Sequence, residues 1–142
     1  MIAYLSLGSN ISPRHEYMEA ACRLIGERVG KVLRRSSDFF SAPWGYQSDH
    51  EYLNIVLRVQ TSLSPKALLQ VTQRIERELG RTEKNVYADR TIDVDILMCY
   101  AEDGTPLIVD SSELTVPHPR MREREFVMVP LREVFEEQNV VS

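Results

Sequence analysis

The chain predicts an α+β protein, a ferredoxin-like βαββαβ antiparallel sheet with helices on one face and an active site on the other. Three observations over its 142 residues carry that expectation. Two segments repeat apolar residues at helical spacing between start and stop signals. Four segments alternate as half-buried strands do, and each helical segment falls between two strands.

In chain order, residues 2–7 set Ala3, Leu5 and Leu7 against Tyr4 and Ser6, and Gly8-Ser9-Asn10 ends that strand. Ser12 is the expected N-cap of the first helix with Pro13 at its first position, and Met18, Ala21, Cys22, Ile25 and Val29 form its buried stripe. A strand is expected over residues 32–40 and another over 52–60, joined by "SAPWGYQSDHE", whose Pro, Gly and polar residues read as a mobile loop. Ser64-Pro65 opens the second helix, Leu68, Val71, Thr72, Ile75 and Leu79 stripe it, and Gly80 can close it. "RTIDVDIL" at residues 90–97 is the fourth strand. "GTPLIVD" adds a short edge strand, and "REREFVMVPLREVF" reads as helix broken at Pro130 rather than a third full core helix.

Composition narrows the function. Length and apolar content fit one domain over residues 1–142, and a net charge of -4 argues against a general nucleic-acid binder, so the partner is expected to be a small molecule. No apolar run approaches the roughly 20 residues of a membrane span and no secretory leader is visible, so a cytoplasmic protein is expected. Cys22 and Cys99 lack partners at metal-ligand spacing and read as buried, reduced thiols without a chemical role.

If the helices cover one face, the polar half of each strand is left for chemistry. That half carries Ser6 and Gly8, Tyr52 and Asn54, and Asp93 and Asp95. Two neighbouring carboxylates repel, and a shared proton or a hard divalent cation such as magnesium relieves them. A bare Asp-x-Asp more often reads as two solvated aspartates, but the neighbours alter the balance. Arg81 and Arg90 flank the segment, Arg120, Arg122 and Arg124 follow, and His118 sits between Pro117 and Pro119, all suited to phosphate. Taken singly, each is an ordinary surface charge or structural histidine. Gln73 and Glu76 lie one helical turn apart beside the buried stripe, ordinarily a polar flank. Tyr52 and Phe126 can stack on a flat heterocycle with Asn54 reading its edge, although single aromatics usually serve the core. Trp44, in a Pro-Gly loop, suits a lid or pocket wall.

"YLSLGSN" at residues 4–10, "YLN" at 52–54, "RTIDVDIL" at 90–97 and "LTVPHPRMREREFV" at 114–127 together resemble the 6-hydroxymethyl-7,8-dihydropterin pyrophosphokinase family of folate biosynthesis. The resemblance implies transfer of diphosphate from ATP to the hydroxymethyl group of the pterin, leaving AMP, with two magnesium ions. By that similarity Asp93 and Asp95 hold both metals, and Arg81 and Arg90 join them at the catalytic centre. Tyr52 and Phe126 enclose the pterin, Asn54 hydrogen-bonds it, and the backbone around Ser41, Ala42 and Trp44 completes its edge. Gln73, Glu76, Ile96, Thr115, His118 and Arg124 line the nucleotide site together with the two arginines. A monomer is expected.

The chain departs from the family pattern at Glu83, where an arginine is frequent, and at Glu113, where some members carry one. "YAD" at residues 87–89 replaces Trp-Gly-Pro, with Tyr87 in place of the tryptophan and the loop one residue shorter. These changes bear on loop closure and nucleotide affinity more than on reaction type. No "GxxxxGK[ST]" occurs, so ATP is held by side chains and loops rather than by a P-loop. Asp95 is a candidate proton acceptor, and metal coordination of the alcohol is a sufficient alternative. Two other readings remain: a ligand-sensing module, which binds without turnover, and another magnesium-dependent nucleotide-transfer enzyme, which processes ATP but ignores the pterin.

Overall fold

The computed structural model describes residues 1–42, 50–80 and 91–136. Its main sheet contains β1 (Ile2–Ser9), β2 (Gly30–Arg35), β3 (Phe39–Ser41), β4 (Tyr52–Thr61) and β5 (Asp93–Tyr100). The order is β2-β4-β1-β5, with β3 continuing beside β4 beyond β2, and every pairing is antiparallel. Helices α1 (Arg14–Arg28) and α2 (Pro65–Glu78) complete the ferredoxin-like order, and α3 (Glu125–Val134) follows.

α1 and α2 lie on the face built by Ala3, Leu5, Leu7, Leu53, Ile55, Leu57, Val94 and Ile96, and Met18, Ala21, Ile25, Leu68 and Ile75 meet them there. α2 starts as its sequence requires. Ser64 caps it by accepting the Ala67 N–H at 3.2 Å, Pro65 is its first residue, and Gly80 beyond its end has φ +98°. α1 starts one residue later than expected. Pro13 occupies the cap with no side-chain bond and its carbonyl accepts the first helical N–H, from Tyr17, so Ser12 caps nothing. Cys22 and Cys99 are both free, and burial pushes each thiol up to about 11, so both stay protonated and inert at neutral pH.

The strand expected over residues 32–40 divides into β2 and β3. At the break Ser36 Oγ accepts the Val56 N–H at 2.9 Å, so a side chain takes over one rung of the ladder. Ser37 then turns outward, giving its N–H and hydroxyl to Glu133 of α3 at 3.1 and 2.7 Å.

Helix α3 runs through Pro130 without ending, contrary to the break expected there. Proline removes one helical hydrogen bond, but Val127, Pro130, Leu131 and Val134 are buried, and that packing outweighs the local preference. The helix closes half of the second sheet face. Its apolar side covers Tyr4, Val56 and Leu97, with a short 3₁₀ turn supplying Met121. Leu97 is the extra residue of a bulge in β5, where register shifts between Tyr4 and Leu5, so Leu97 and Met98 both reach this second cluster. The far end of α3 is tied down by the buried Tyr4 hydroxyl, which accepts from Arg58 Nε and the Glu136 N–H and donates to the Glu136 carbonyl.

"GTPLIVD" supplies the expected short strand at the edge, with Pro106 bridging Tyr100 of β5, but that strand lies beside the main sheet rather than within it. β6 (Val109–Asp110) pairs with β7 (Thr115–Val116) in a separate two-stranded ribbon against the outer edge of β5. Along that edge Leu107 and His118 donate their N–H groups to the Cys99 and Leu97 carbonyls, each at 2.8 Å.

Candidate active site

The open half of the second face is assembled by strand register. Gly8 of β1 lies opposite Asn54 of β4 on one side and Asp93 of β5 on the other, while Ser6 lies opposite Val56 and Asp95. β3 extends these rows, setting Phe39 beside Asn54 and Ser41 beside Tyr52. Paired residues in an antiparallel sheet project to one side, so Tyr52, Asn54, Asp93 and Asp95 share a surface. The two aspartates are half-buried and two residues apart, about 6.6 Å along the strand.

Asn54 is 3% exposed, and its amide is oriented by donating to the Phe39 carbonyl at 3.0 Å and the Ser41 hydroxyl at 2.8 Å. That leaves Oδ1 turned toward Gly8. A Cβ on Gly8 would stand 3.3 Å from both Asn54 Oδ1 and Tyr52 Cδ1, so the glycine lets the tyrosine ring and the amide close over β1. Sequence reasoning places Gly8 on this face but gives it no role and ends the strand there, whereas β1 runs on to Ser9.

Two further residues escaped that reasoning. Asn10 Nδ2 donates to the His50 carbonyl at 3.0 Å, and Arg14 Nη1 donates to the Glu51 carbonyl at 2.8 Å while its guanidinium lies 4.9 Å from the Phe40 ring centre. They fix the chain just ahead of Tyr52. No sequence pattern marks such main-chain contacts.

The residues expected around a nucleotide gather at the outer edge of β5. Glu76, 3% exposed at the end of α2, accepts the Val94 N–H on Oε2 at 2.8 Å, and Gln73 is half-buried one turn earlier. Ile96 turns its side chain into the core, so only its backbone can face a ligand. His118 is anchored to Leu97, and its Nδ1 accepts the Arg120 N–H at 3.2 Å, which makes Nε2 the protonated nitrogen of a neutral ring and hence a donor. The peptide between Val116 and Pro117 is cis. Thr115 is exposed in β7.

Of the remaining residues, Arg124 is the N-cap of α3 and Phe126 lies in its first turn. Phe126 packs against the cluster containing Leu97 and Met98, and the Arg124 guanidinium lies 5.7 Å from its ring centre. Ser41 ends β3 and Ala42 is exposed beyond it. Trp44, Arg81, Glu83, Tyr87 and Arg90 lie outside the described residues.

Asp93 and Asp95 are hard oxygen donors suited to a divalent cation such as magnesium. Among the described residues no group of three His, Cys, Asp or Glu converges as a cage.

Sheet and site together define a class, an α+β protein that presents an acid pair beside an aromatic and an amide on one sheet face. Residues 4–136 match the family model described as 7,8-dihydro-6-hydroxymethylpterin-pyrophosphokinase (HPPK). The chain belongs to this family. It is 46% identical over 136 residues to a 2-amino-4-hydroxy-6-hydroxymethyldihydropteridine pyrophosphokinase of Porphyromonas gingivalis, covering 94% of this chain and 90% of that one. It is 40% identical over 134 residues to the Bacillus subtilis protein of the same name, covering 94% and 77%. Among solved structures the fold matches an HPPK-DHPS in complex with substrates, with TM-score 0.70 and 15% identity over 97% of this chain and 40% of that one. Wild-type Plasmodium falciparum HPPK-DHPS with pterin and p-hydroxybenzoate gives TM-score 0.71 and 17% identity over 99% and 41%. The chain therefore spans about two fifths of those longer proteins.

Proposed function

We propose that the chain transfers diphosphate from ATP to the hydroxymethyl group of 6-hydroxymethyl-7,8-dihydropterin, giving the pterin diphosphate and AMP, at the open half of the second sheet face. Its family membership supports the reaction, and the shared face of Tyr52, Asn54, Asp93 and Asp95 is the observation that carries the location.

Each residue has a role that follows from its chemistry. Tyr52 and Phe126 hold the flat pterin by stacking, and Asn54, with its N–H groups committed to Phe39 and Ser41, offers Oδ1 to the donor edge of the ring. Ser41, Ala42 and Trp44 close that edge. Asp93 and Asp95 would hold two magnesium ions, whose charge would offset that of the phosphates and lower the pKa of the attacking alcohol. His118 donates from Nε2 to a phosphate oxygen, and Arg81, Arg90 and Arg124 add positive charge around the triphosphate. Gln73, Glu76, the Ile96 backbone and Thr115 bound the nucleotide side. The hydroxymethyl oxygen forms a bond to the β-phosphorus as its proton passes to Asp95 or to water, and the bond from the β-phosphorus to the oxygen it shares with the α-phosphorus breaks, that oxygen leaving with AMP.

Little of this demands covalent help from the protein, since positioning and charge neutralisation suffice for phosphoryl-type transfer. The reading makes residues 1–142 one pyrophosphokinase domain, a cytoplasmic monomer with small-molecule substrates and no nucleic-acid or membrane partner. The acidic net charge supports the lack of a nucleic-acid partner, and among the described residues no helix is long and apolar enough to cross a membrane.

The decisive experiment is AMP formation by Asp95→Ala with ATP, pterin and magnesium. We expect turnover to vanish while the thermal midpoint stays within a few degrees of the parent, because the side chain lies off the α1/α2 core. Turnover equal to the parent would sink the assignment of the acid pair.

A further inference from the structure

α2 packs against the sheet face opposite the site, yet its last turn reaches round the outer edge of β5. There it places Glu76, a carboxylate that is 3% exposed and accepts the Val94 N–H at 2.8 Å. Burying a carboxylate is costly unless strong partners satisfy it, so its position calls for a reason beyond filling space.

Val94 lies between Asp93 and Asp95. β5 begins at Asp93, and β1 is its sheet neighbour on the inner side only. The acid pair thus occupies the first residues of an edge strand, where pairing from one side leaves the backbone prone to fraying. The Val94 N–H belongs to the rigid peptide plane that also contains the Asp93 carbonyl. Fixing that plane from the outer edge restricts ψ of Asp93 and φ of Val94, and these angles set how the Asp93 and Asp95 side chains are directed.

We infer that Glu76 is a positioning residue for the acid pair: through the Val94 N–H it holds the start of β5 so that both aspartates present their oxygens to one cation site. This rests on the proposal that Asp93 and Asp95 bind the cation, and it gives Glu76 a duty distinct from lining the nucleotide. Partners that orient a metal ligand typically matter about tenfold to a hundredfold for metal affinity.

The test compares Glu76→Ala, Glu76→Asp and Glu76→Gln with the parent in the full chain. Gln retains an acceptor of the same reach, whereas Asp retains the charge but is one methylene too short. In ligand-free protein, the Val94 amide resonance is expected to move upfield and its hydrogen exchange to accelerate at least about tenfold in Ala and Asp, with Gln close to the parent. Manganese affinity, read by electron paramagnetic resonance with a non-hydrolysable ATP analogue, should fall about tenfold to a hundredfold in Ala and Asp and be largely recovered in Gln. Affinity for the same analogue without metal reads the nucleotide-lining role separately and should fall by a smaller factor than manganese affinity in Ala and Asp.

An unmoved Val94 amide in Ala and Asp would overturn the inference. So would a loss confined to metal-free nucleotide binding, which would make Glu76 a nucleotide ligand. Asp95→Ala separates the underlying proposal: if it leaves manganese affinity unchanged, the acid pair is not the cation site whatever Glu76 does. Should Glu76→Ala fail to fold, the Asp and Gln variants carry the same contrast.

Discussion

The second sheet face has two halves built by the same three strands, and they differ in what lies on top. At one half Tyr4, Val56 and Leu97 are covered by α3 and sealed from water. At the other, one or two rungs along, Gly8, Asn54, Asp93 and Asp95 replace bulky apolar groups with a glycine, an amide and two carboxylates. The boundary runs through the Val56–Ser6–Asp95 row, where one rung belongs to both. A sheet thus separates stability from chemistry by changing side chains along its strands, helped at the covered half by the bulge in β5. The closed half should answer to stability measurements and the open half to kinetics.

The sharpest test is Asp93→Asn, expected to lower kcat by about two to three orders of magnitude with the thermal midpoint nearly unchanged. A large stability loss instead would erase the distinction between the halves. Leu131→Ala should do the reverse, costing about 2–5 kcal/mol in denaturant unfolding while the folded fraction keeps its pterin affinity. Gly8→Ala probes the open half more gently. Its new Cβ presses on Tyr52 and Asn54 at 3.3 Å, so pterin KM should rise about tenfold, with kcat and unfolding changed much less. Tyr4→Phe, which deletes the hydroxyl shared by Arg58 and Glu136, should cost about 1 kcal/mol of stability and leave both kinetic constants alone. The smallest effect concerns Cys99. Burial holds its thiol at about 11, so a thiol reagent at neutral pH should label it only as fast as the protein opens.

Elements marked by local chemistry were legible in the sequence. α2 shows why: Ser64, Pro65 and Gly80 each act on adjacent backbone, so their residue types suffice. The polar face was legible too, because alternation alone assigns Asn54, Asp93 and Asp95 to one side. What remained hidden depended on contacts between distant segments. α3 survives Pro130 because it packs on Tyr4 and Val56, far away in sequence. Ser36 divides β2 from β3 through a bond to Val56 that no window around Ser36 contains. The holding of residues 50 and 51 by Asn10 and Arg14 is of the same kind, since their partners are main-chain carbonyls common to every residue.

The treatment of the two outermost strands also bears on how the chain behaves in a crowded solution. β5 has its rim occupied by Glu76, Leu107 and His118, and β2 carries Lys31, Arg34 paired with Glu136, and Arg35 paired with Glu19, charged side chains that an added strand would have to displace. Among the described residues of β2 and β5, neither rim offers the flat, apolar row of vacant amides on which another molecule's strand can template itself. Polymerisation through sheet extension is therefore disfavoured at both margins, and the one rim shaped by a buried acid is the rim beside the proposed catalytic aspartates.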